Sequence, residues 1–134
     1  MSKKVTFSHD NDDNGKYILI VDSELDLLNM MQRMFLMHGF KLCVFTDGLA
    51  ALKHFSLNFK AHRIVISDIR MPDMTGNEFV KQVRKINPKI RLILIGDEGS
   101  LDSDSNADPF IKKPFSLEKL RNIVQEYYQQ RKAS

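Results

Sequence analysis

Short apolar runs alternate along the chain with longer segments in which apolar residues recur at helical spacing. Each short run is nearly continuous, which predicts a strand buried on both faces of a sheet. The five predicted strands are Tyr17–Val21, Lys41–Phe45, Arg63–Ser67, Ile90–Ile95 and Pro109–Lys112. Helices are predicted at about 24–38, at 49–55, from 77 to before Pro88, and from Ser116 to about 130, with Asn77 and Ser116 as N-caps of the last two. Strands that alternate with helices predict a doubly wound α/β fold, with a parallel sheet, right-handed crossovers and helices on both faces.

Two polar segments interrupt this pattern. Residues 1–15 are polar and become acidic toward their end, which predicts a flexible tail ahead of one domain at 16–132. Residues 96–108 contain a single large apolar side chain, Leu101, and are predicted to form an acidic loop with at most a turn of helix.

The bulk properties narrow the class of protein. A chain of 134 residues is long enough to bury one real core. Its net charge of +3 is small and its basic residues are scattered, so we expect no nucleic-acid partner. Charge breaks every apolar stretch, and no signal core is present at the N-terminus, so we expect neither membrane insertion nor export. The single Cys43 cannot form an internal disulfide and fits a reducing, cytoplasmic location.

Three charged side chains follow predicted strands directly. Asp22 ends the first apolar run, Asp68 ends the third, and Lys113 ends the fifth. The carboxyl ends of parallel strands share one edge of the sheet, where ligands of such folds bind. Two acids and a lysine at that edge are the groups that a metal-assisted site for a phosphoryl group needs.

The segments around these residues resemble the receiver domain of two-component response regulators, the CheY-like superfamily. The resemblance covers about 16–132, and it is carried by the runs Ile18-Leu19-Ile20-Val21-Asp22, Val65-Ile66-Ser67-Asp68-Ile69-Arg70-Met71-Pro72-Asp73-Met74-Thr75-Gly76 and Lys113-Pro114-Phe115. It implies a flavodoxin-like sheet with strand order 2-1-3-4-5. It also implies a cis peptide between Lys113 and Pro114.

The resemblance implies a function as well. A histidine kinase or a phosphotransfer protein would pass a phosphoryl group to Asp68, whose carboxylate acts as the nucleophile. Mg²⁺ would be held by Asp22, Asp68 and the backbone carbonyl of Arg70, and Lys113 would contact the phosphoryl oxygens. The protein would not be an enzyme beyond accepting the group and slowly hydrolysing it, and it would act as a monomer or weak dimer on an unidentified downstream protein.

The chain departs from the family pattern in three places. Ser23 stands where receivers carry a second acid; we interpret it as an N-cap, and Glu24 is a further candidate metal ligand. Gly96 stands where the family has the Ser or Thr of its switch, so we expect Phe110, at the position of the switch aromatic, to act as packing. The family's fourth helix, between strands four and five, is predicted to be degraded.

Two hypotheses of different class follow. In the first, the chain is a stand-alone receiver that is phosphorylated on Asp68 with Mg²⁺. In the second, it is a pseudo-receiver, a protein-interaction module that works without phosphorylation. Asp22, Asp68 and Lys113 favour the first hypothesis, whereas Ser23 and Gly96 favour the second.

The histidines suggest no second site. The chain has four of them, and they show no metal-ligand spacing among themselves and no cysteine or acid partner in the sequence. Cys43 lies among apolar residues, so it is interpreted as a small core side chain.

Overall fold

The structure, a computed structural model, describes residues 15–97 and 110–133, and side chains as far as 129. The strands are β1 Tyr17–Val21, β2 Lys41–Phe45, β3 His62–Asp68, β4 Arg91–Gly96 and β5 Phe110–Lys112. The helices are α1 Leu25–Met37, α2 Gly48–Asn58, α3 Gly76–Ile86 and α4 Leu117–Ala133, with a 3-10 turn at Phe59–Ala61. The bounds predicted for β1 and β2 are confirmed, and α2 is longer than predicted because the helix continues past Phe55.

All strand pairs are parallel, and the order is β2-β1-β3-β4-β5. This confirms the doubly wound, five-stranded sheet. The prediction of a flexible tail at 1–15 falls almost wholly outside the described residues, and so does the prediction of an acidic loop and a degraded helix between β4 and β5. Within the described part of the chain, no helix is long and apolar enough to span a bilayer.

The sheet separates two cores because successive side chains of a strand point to opposite faces. In β1, Leu19 lies in a cluster with α2 and α3, whereas Ile18 and Ile20 lie in a cluster with α1 and α4. All three side chains are fully buried. The continuous apolar runs of the sequence are therefore explained by burial on both faces.

The N-caps of α3 and α4 test two predictions made from local sequence. Ser116 accepts a hydrogen bond from the backbone of Lys119 at 2.9 Å, which confirms it as a cap. The prediction for Asn77 is wrong, because Thr75 is the N-cap of α3 and accepts from Glu78 N at 3.1 Å. Both residue types cap well, and only the position of the chain as it leaves β3 decides between them.

Candidate functional site

The three predicted charged residues meet at the carboxyl edge of the sheet. Asp68 is the last residue of β3, and Asp22 and Lys113 directly follow β1 and β5. The ammonium of Lys113 lies 3.4 Å from Oδ2 of Asp68 and 3.8 Å from Oδ2 of Asp22. The peptide between Lys113 and Pro114 is cis. The parallel sheet therefore brings together side chains that are far apart in the sequence.

A cleft of about 250 Å³ opens above these groups. Its lining combines acids, a lysine, an arginine and uncharged residues at the carboxyl ends of β1, β3, β4 and β5, namely Ser23, Glu24, Asp68, Ile69, Arg70, Gly96, Asp97 and Lys113. A space of this size next to an acid that is 5 % exposed can admit a small anion with a cation. The cleft gives Asp68 an open approach from solvent.

Lys113 is the cation that contacts the carboxylates of Asp22, Glu24 and Asp68. Burial alone would lower its pKa, but Asp22, Asp68 and Glu24 together raise the pKa above its ordinary value. Its third partner is Glu24, whose Oε1 lies 3.3 Å from Nζ. The lysine thus stays charged and is shared among three carboxylates.

Asp22 has a buried carboxylate that lacks full compensation. Its Oδ1 accepts a hydrogen bond from the backbone N–H of Glu24 at 2.8 Å, whereas its Oδ2 is buried and accepts none from the described residues. Burial raises the pKa of Asp22 to about 7, and Asp68 adds to the rise, while Lys113 and the Glu24 N–H oppose it. A divalent cation would supply the missing partner, because hard cations bind carboxylate oxygen.

This arrangement predicts that Asp22 destabilises the protein when no metal is bound. The group holds its proton up to about pH 7 in the folded state but only to about 3.8 when unfolded. Folding stability therefore falls as pH rises from about 4 to 7 and stays reduced above that range. We expect Asp22→Asn to raise the free energy of unfolding by roughly 2–4 kcal/mol at pH 8 in EDTA, and by little at pH 4.

Urea denaturation at both pH values measures this effect. Asp97→Asn is the matched control, because Asp97 lines the same cleft but is exposed. It should change the free energy of unfolding by less than about 0.5 kcal/mol, as substitutions of exposed side chains usually do. A stability gain for Asp22→Asn that is the same at both pH values would contradict the prediction.

The remaining predicted metal ligands occupy different places. Glu24 lies at the site, in contact with Lys113, and it is the N-cap of α1 without a side-chain cap bond. The interpretation of Ser23 as the cap is therefore wrong; Ser23 is exposed on the cleft. Arg70 also lines the cleft, and its backbone N–H lies 3.2 Å from Oδ1 of Asp68. Metal binding by its carbonyl stays a prediction.

The side chain of Ile69 packs directly against Gly96 and leaves no room for a side chain there. A Cβ added to Gly96 would lie 2.2 Å from Cγ2 of Ile69 and 3.1 Å from its Cβ. Ile69 is buried at 3 % exposure and its backbone N–H donates to the carbonyl of Ile95 at 2.8 Å. The side chain of Ile69 thus fills the space that a Ser or Thr at position 96 would use. The sequence showed the missing hydroxyl but not what replaces it.

Phe110 lies at the start of β5, opposite Leu94 of β4. It is partly buried and packs against the core cluster on the side of α2 and α3. These contacts agree with its interpretation as packing.

The loop after β3 is held by two features that the sequence analysis did not single out. A Cβ on Gly76 would meet the carbonyl oxygen of Asp68 and Cα of Ile69, both at 2.6 Å, so only glycine permits this close approach of backbone. Asp73 accepts hydrogen bonds from the first two N–H groups of α2, Gly48 at 3.0 Å and Leu49 at 2.7 Å. Burial raises the pKa of Asp73, but these two bonds, together with the backbone N–H groups of Asp73 and Met74, lower the pKa below its ordinary value. The segment that carries Asp68 is therefore tied to α2.

The prediction that no histidine has a cysteine partner is wrong for two of the four histidines. His54 and His62 are buried with their Nε2 atoms 2.9 Å apart, and Cys43 lies beside them. The contact joins α2 to β3, so no spacing rule along one element could have predicted it.

Comparison with known proteins gives consistent results. A family model described as "Response regulator receiver domain" matches residues 18–125. The C4-dicarboxylate transport transcriptional regulatory protein DctD of Rhizobium meliloti is 32% identical over 108 residues, which cover 77% of this chain and 23% of DctD. Sporulation initiation phosphotransferase F of Bacillus subtilis is 28% identical over 115 residues, covering 82% of this chain and 91% of the relative.

Solved structures show the same likeness. The chemotaxis response regulator CheY4 of Vibrio cholerae matches with a TM-score of 0.73 at 27% identity, over 84% of this chain and 98% of the other. The chain spans only about a quarter of the length of two of the curated relatives it matches, at 23% and 25%.

Proposed function

Because the chain belongs to the response regulator receiver family of two-component systems, we propose that it accepts a phosphoryl group on Asp68 with the help of Mg²⁺. The observation that carries this proposal is the set of three charges at one edge of the sheet. The Lys113 ammonium lies 3.4 Å from Oδ2 of Asp68 and 3.8 Å from Oδ2 of Asp22, which accepts no hydrogen bond from the described residues. An anionic group needs cations around it, here Lys113 and the proposed Mg²⁺, and a carboxylate can serve as its nucleophile.

Each residue has a part in the reaction. A carboxylate oxygen of Asp68 forms the new bond to phosphorus while the bond from phosphorus to the donor's leaving group breaks. Lys113 lies within reach to balance the charge of the phosphoryl oxygens as a point charge. Asp22, Asp68 and the carbonyl of Arg70 would hold Mg²⁺, with Glu24 as a further candidate ligand. The bound ion would neutralise charge on the carboxylates and on the incoming group.

Glu24 supplies part of the negative charge that a second acid at position 23 would add to the site. Its carboxylate lies 3.3 Å from Lys113, on a side chain that is 60 % exposed. Because that side chain is solvated and mobile compared with a buried acid, it can release Lys113 when a phosphoryl group arrives. We therefore propose that the Glu24–Lys113 ion pair holds the lysine in place in the unphosphorylated state.

The donor in the cell would be a histidine kinase or a phosphotransfer protein, and the effect would pass to another protein. The likeness to sporulation initiation phosphotransferase F, of which the chain covers 91%, supports a role in passing phosphoryl groups between proteins. We propose neither nucleic-acid binding nor catalytic turnover beyond slow hydrolysis of the aspartyl-phosphate. We propose a cytoplasmic location, as a monomer or weak dimer. Cys43 is the chain's single cysteine and is buried, which fits reducing conditions.

A second function is favoured by one observation. Ile69 occupies the space beside Gly96, so the hydroxyl that would follow a phosphoryl group inward is absent and cannot be added without displacing Ile69. A chain that binds a partner in one fixed conformation, without phosphorylation, is the pseudo-receiver alternative.

Labelling with acetyl phosphate tests the proposed function without knowledge of the kinase. We expect the wild-type chain to take up one phosphoryl group in the presence of Mg²⁺ and none in EDTA, as measured by intact-protein mass. Beryllofluoride with Mg²⁺ should shift amide resonances around β1, β3 and β5 in NMR spectra. Absence of both responses would reject phosphoryl acceptance and favour the pseudo-receiver.

A further inference from the structure

A second cluster of metal-ligating side chains lies inside the core, on the side of the sheet covered by α2. Cys43 comes from β2, His54 from α2 and His62 from the first position of β3. Their exposed fractions are 0 %, 8 % and 4 %. One ligand atom from each residue lies within 4.8 Å of the other two.

The two imidazoles face each other through the nitrogens that a metal would use. Nε2 of His54 and Nε2 of His62 are 2.9 Å apart, in the range of a hydrogen bond. Both rings are buried, at 8 % and 4 % exposure, and a neutral imidazole is the form that binds metals.

We propose that Cys43, His54 and His62 form a buried site for one thiophilic transition-metal ion, with Cu⁺ preferred over Zn²⁺. A thiolate and two imidazoles are ligands that both ions accept. Asp22, Asp68 and Glu24, at the carboxyl edge, offer only oxygen, which suits Mg²⁺. The two sites would therefore select different metals by ligand type.

The spacing of the ligand atoms is compatible with one shared ion. Metal–nitrogen bonds of about 2.0–2.1 Å and metal–sulfur bonds of about 2.3 Å place the ligand atoms roughly 3.3–3.8 Å from one another. The imidazole nitrogens must separate slightly from 2.9 Å, and the widest pair must close from at most 4.8 Å. Shifts of about 1 Å or less meet both needs, which side-chain rotation can provide.

Charge favours the monovalent ion. Aromatic rings flank the cluster, with Phe45 at 5.2 Å from the His54 ring and Phe55 at 5.9 Å from the His62 ring, between centroids. A net charge in such surroundings is costly. Cu⁺ with one thiolate is neutral and is satisfied by three ligands, whereas Zn²⁺ would leave a positive charge and normally takes a fourth ligand.

A metal ion would enter beside His54, because His54 is the most exposed of the three ligands and lies on a surface helix. The side-chain amide of Asn58 lies next to its Nδ1, with the amide nitrogen at 3.4 Å. A metal bound at Nε2 leaves the proton on Nδ1, so the Asn58 amide would have to turn its oxygen toward this N–H to hold the ring.

Competition with the chromophoric chelator bicinchoninate, under reducing and anaerobic conditions, tests the proposal on the full chain. We expect the wild type to withdraw one equivalent of Cu⁺ and to hold it more tightly than Zn²⁺. Cys43→Ser and His54→Gln should each weaken Cu⁺ binding by at least about 100-fold, because each removes a ligand. The double variant His9→Gln/His38→Gln, which removes the chain's other two histidines, should bind as the wild type does.

Asp68→Asn separates this site from the proposed phosphorylation site, since it should leave Cu⁺ binding unchanged. If the ligand variants do not fold, as judged by circular dichroism, protection of Cys43 in the wild type decides instead: Cu⁺ should slow its alkylation by at least about 10-fold in mild urea. The proposal is overturned if neither ion is retained, if Cys43→Ser retains Cu⁺, or if Cu⁺ leaves alkylation unchanged. Retention of Zn²⁺ alone overturns the choice of ion.

Discussion

Replacing Asp68 with asparagine is expected to abolish Mg²⁺-dependent labelling by acetyl phosphate. The amide nitrogen and oxygen of asparagine are poor nucleophiles, so no acyl phosphate can form on the replaced side chain. Among the described residues, Asp68 is the acid that combines near-complete burial, contact with Lys113 and an open cleft. Intact-protein mass after incubation with acetyl phosphate measures the loss, which should be complete to the level of the EDTA background.

Two controls make this result specific to the site. Asp97→Asn removes an exposed carboxylate from the same cleft and should be labelled as the wild type is. Circular dichroism should show that Asp68→Asn remains folded, because its backbone and shape are retained and Lys113 keeps Asp22 and Glu24 as partners. If Asp68→Asn were labelled at the wild-type rate, on another acid, the assignment of Asp68 as the acceptor would be wrong.

Placing threonine at position 96 is expected to destabilise the protein instead of restoring a switch. The new Cβ would overlap Cγ2 of Ile69 at 2.2 Å, inside a buried part of the sheet edge. Isoleucine is branched at Cβ and has few alternative rotamers, so it cannot easily move aside. We expect Gly96→Thr to lower the free energy of unfolding by roughly 1–3 kcal/mol, the usual cost of overpacking, as measured by urea denaturation.

Truncation of Ile69 should relieve this clash. Ile69→Ala alone is expected to cost roughly 2–5 kcal/mol, because it leaves a cavity. Combined with Gly96→Thr it should cost clearly less than the sum, with a coupling energy of roughly 0.5–3 kcal/mol in a double-mutant cycle. Simple addition of the two effects would show that Ile69 does not fill the place of the missing side chain.

Gly48→Ala provides a matched comparison. A Cβ there would meet Cγ of Met74 at 2.6 Å and its sulfur at 2.9 Å, also too close, though less so than the 2.2 Å contact at position 96. Methionine is unbranched and flexible, so it can rotate away at small cost. We therefore expect a smaller loss of stability than for Gly96→Thr, and an equal loss would indicate that side-chain stiffness is not the deciding factor.

The sequence was sufficient for the fold and for the position of the main charges. Runs such as Tyr17–Val21 have one apolar pattern that fits a strand covered on both faces, and their alternation with helices requires parallel pairing. Once the strands are parallel, Asp22, Asp68 and Lys113 must lie at the same edge of the sheet, because each follows the end of its strand. Local rules failed only in detail. At Asn77 the nearby Thr75 caps the helix instead, and at Ser23 the helix begins after Glu24, whose side chain makes no cap bond.

The tertiary structure alone decided which side chains touch between elements. Glu24 could have turned away from the cleft, yet it lies 3.3 Å from Lys113. The occupation of the space beside Gly96 by Ile69 depends on how β3 and β4 pack, and no pattern along either strand encodes it.

The contact among Cys43, His54 and His62 arises in the same way, since each is contributed by a different element. Hydrophobic periodicity reports which face of an element is buried, and so it determined the sheet and its functional edge. The partner of each buried side chain depends on packing between segments distant in the sequence, which only the folded chain determines.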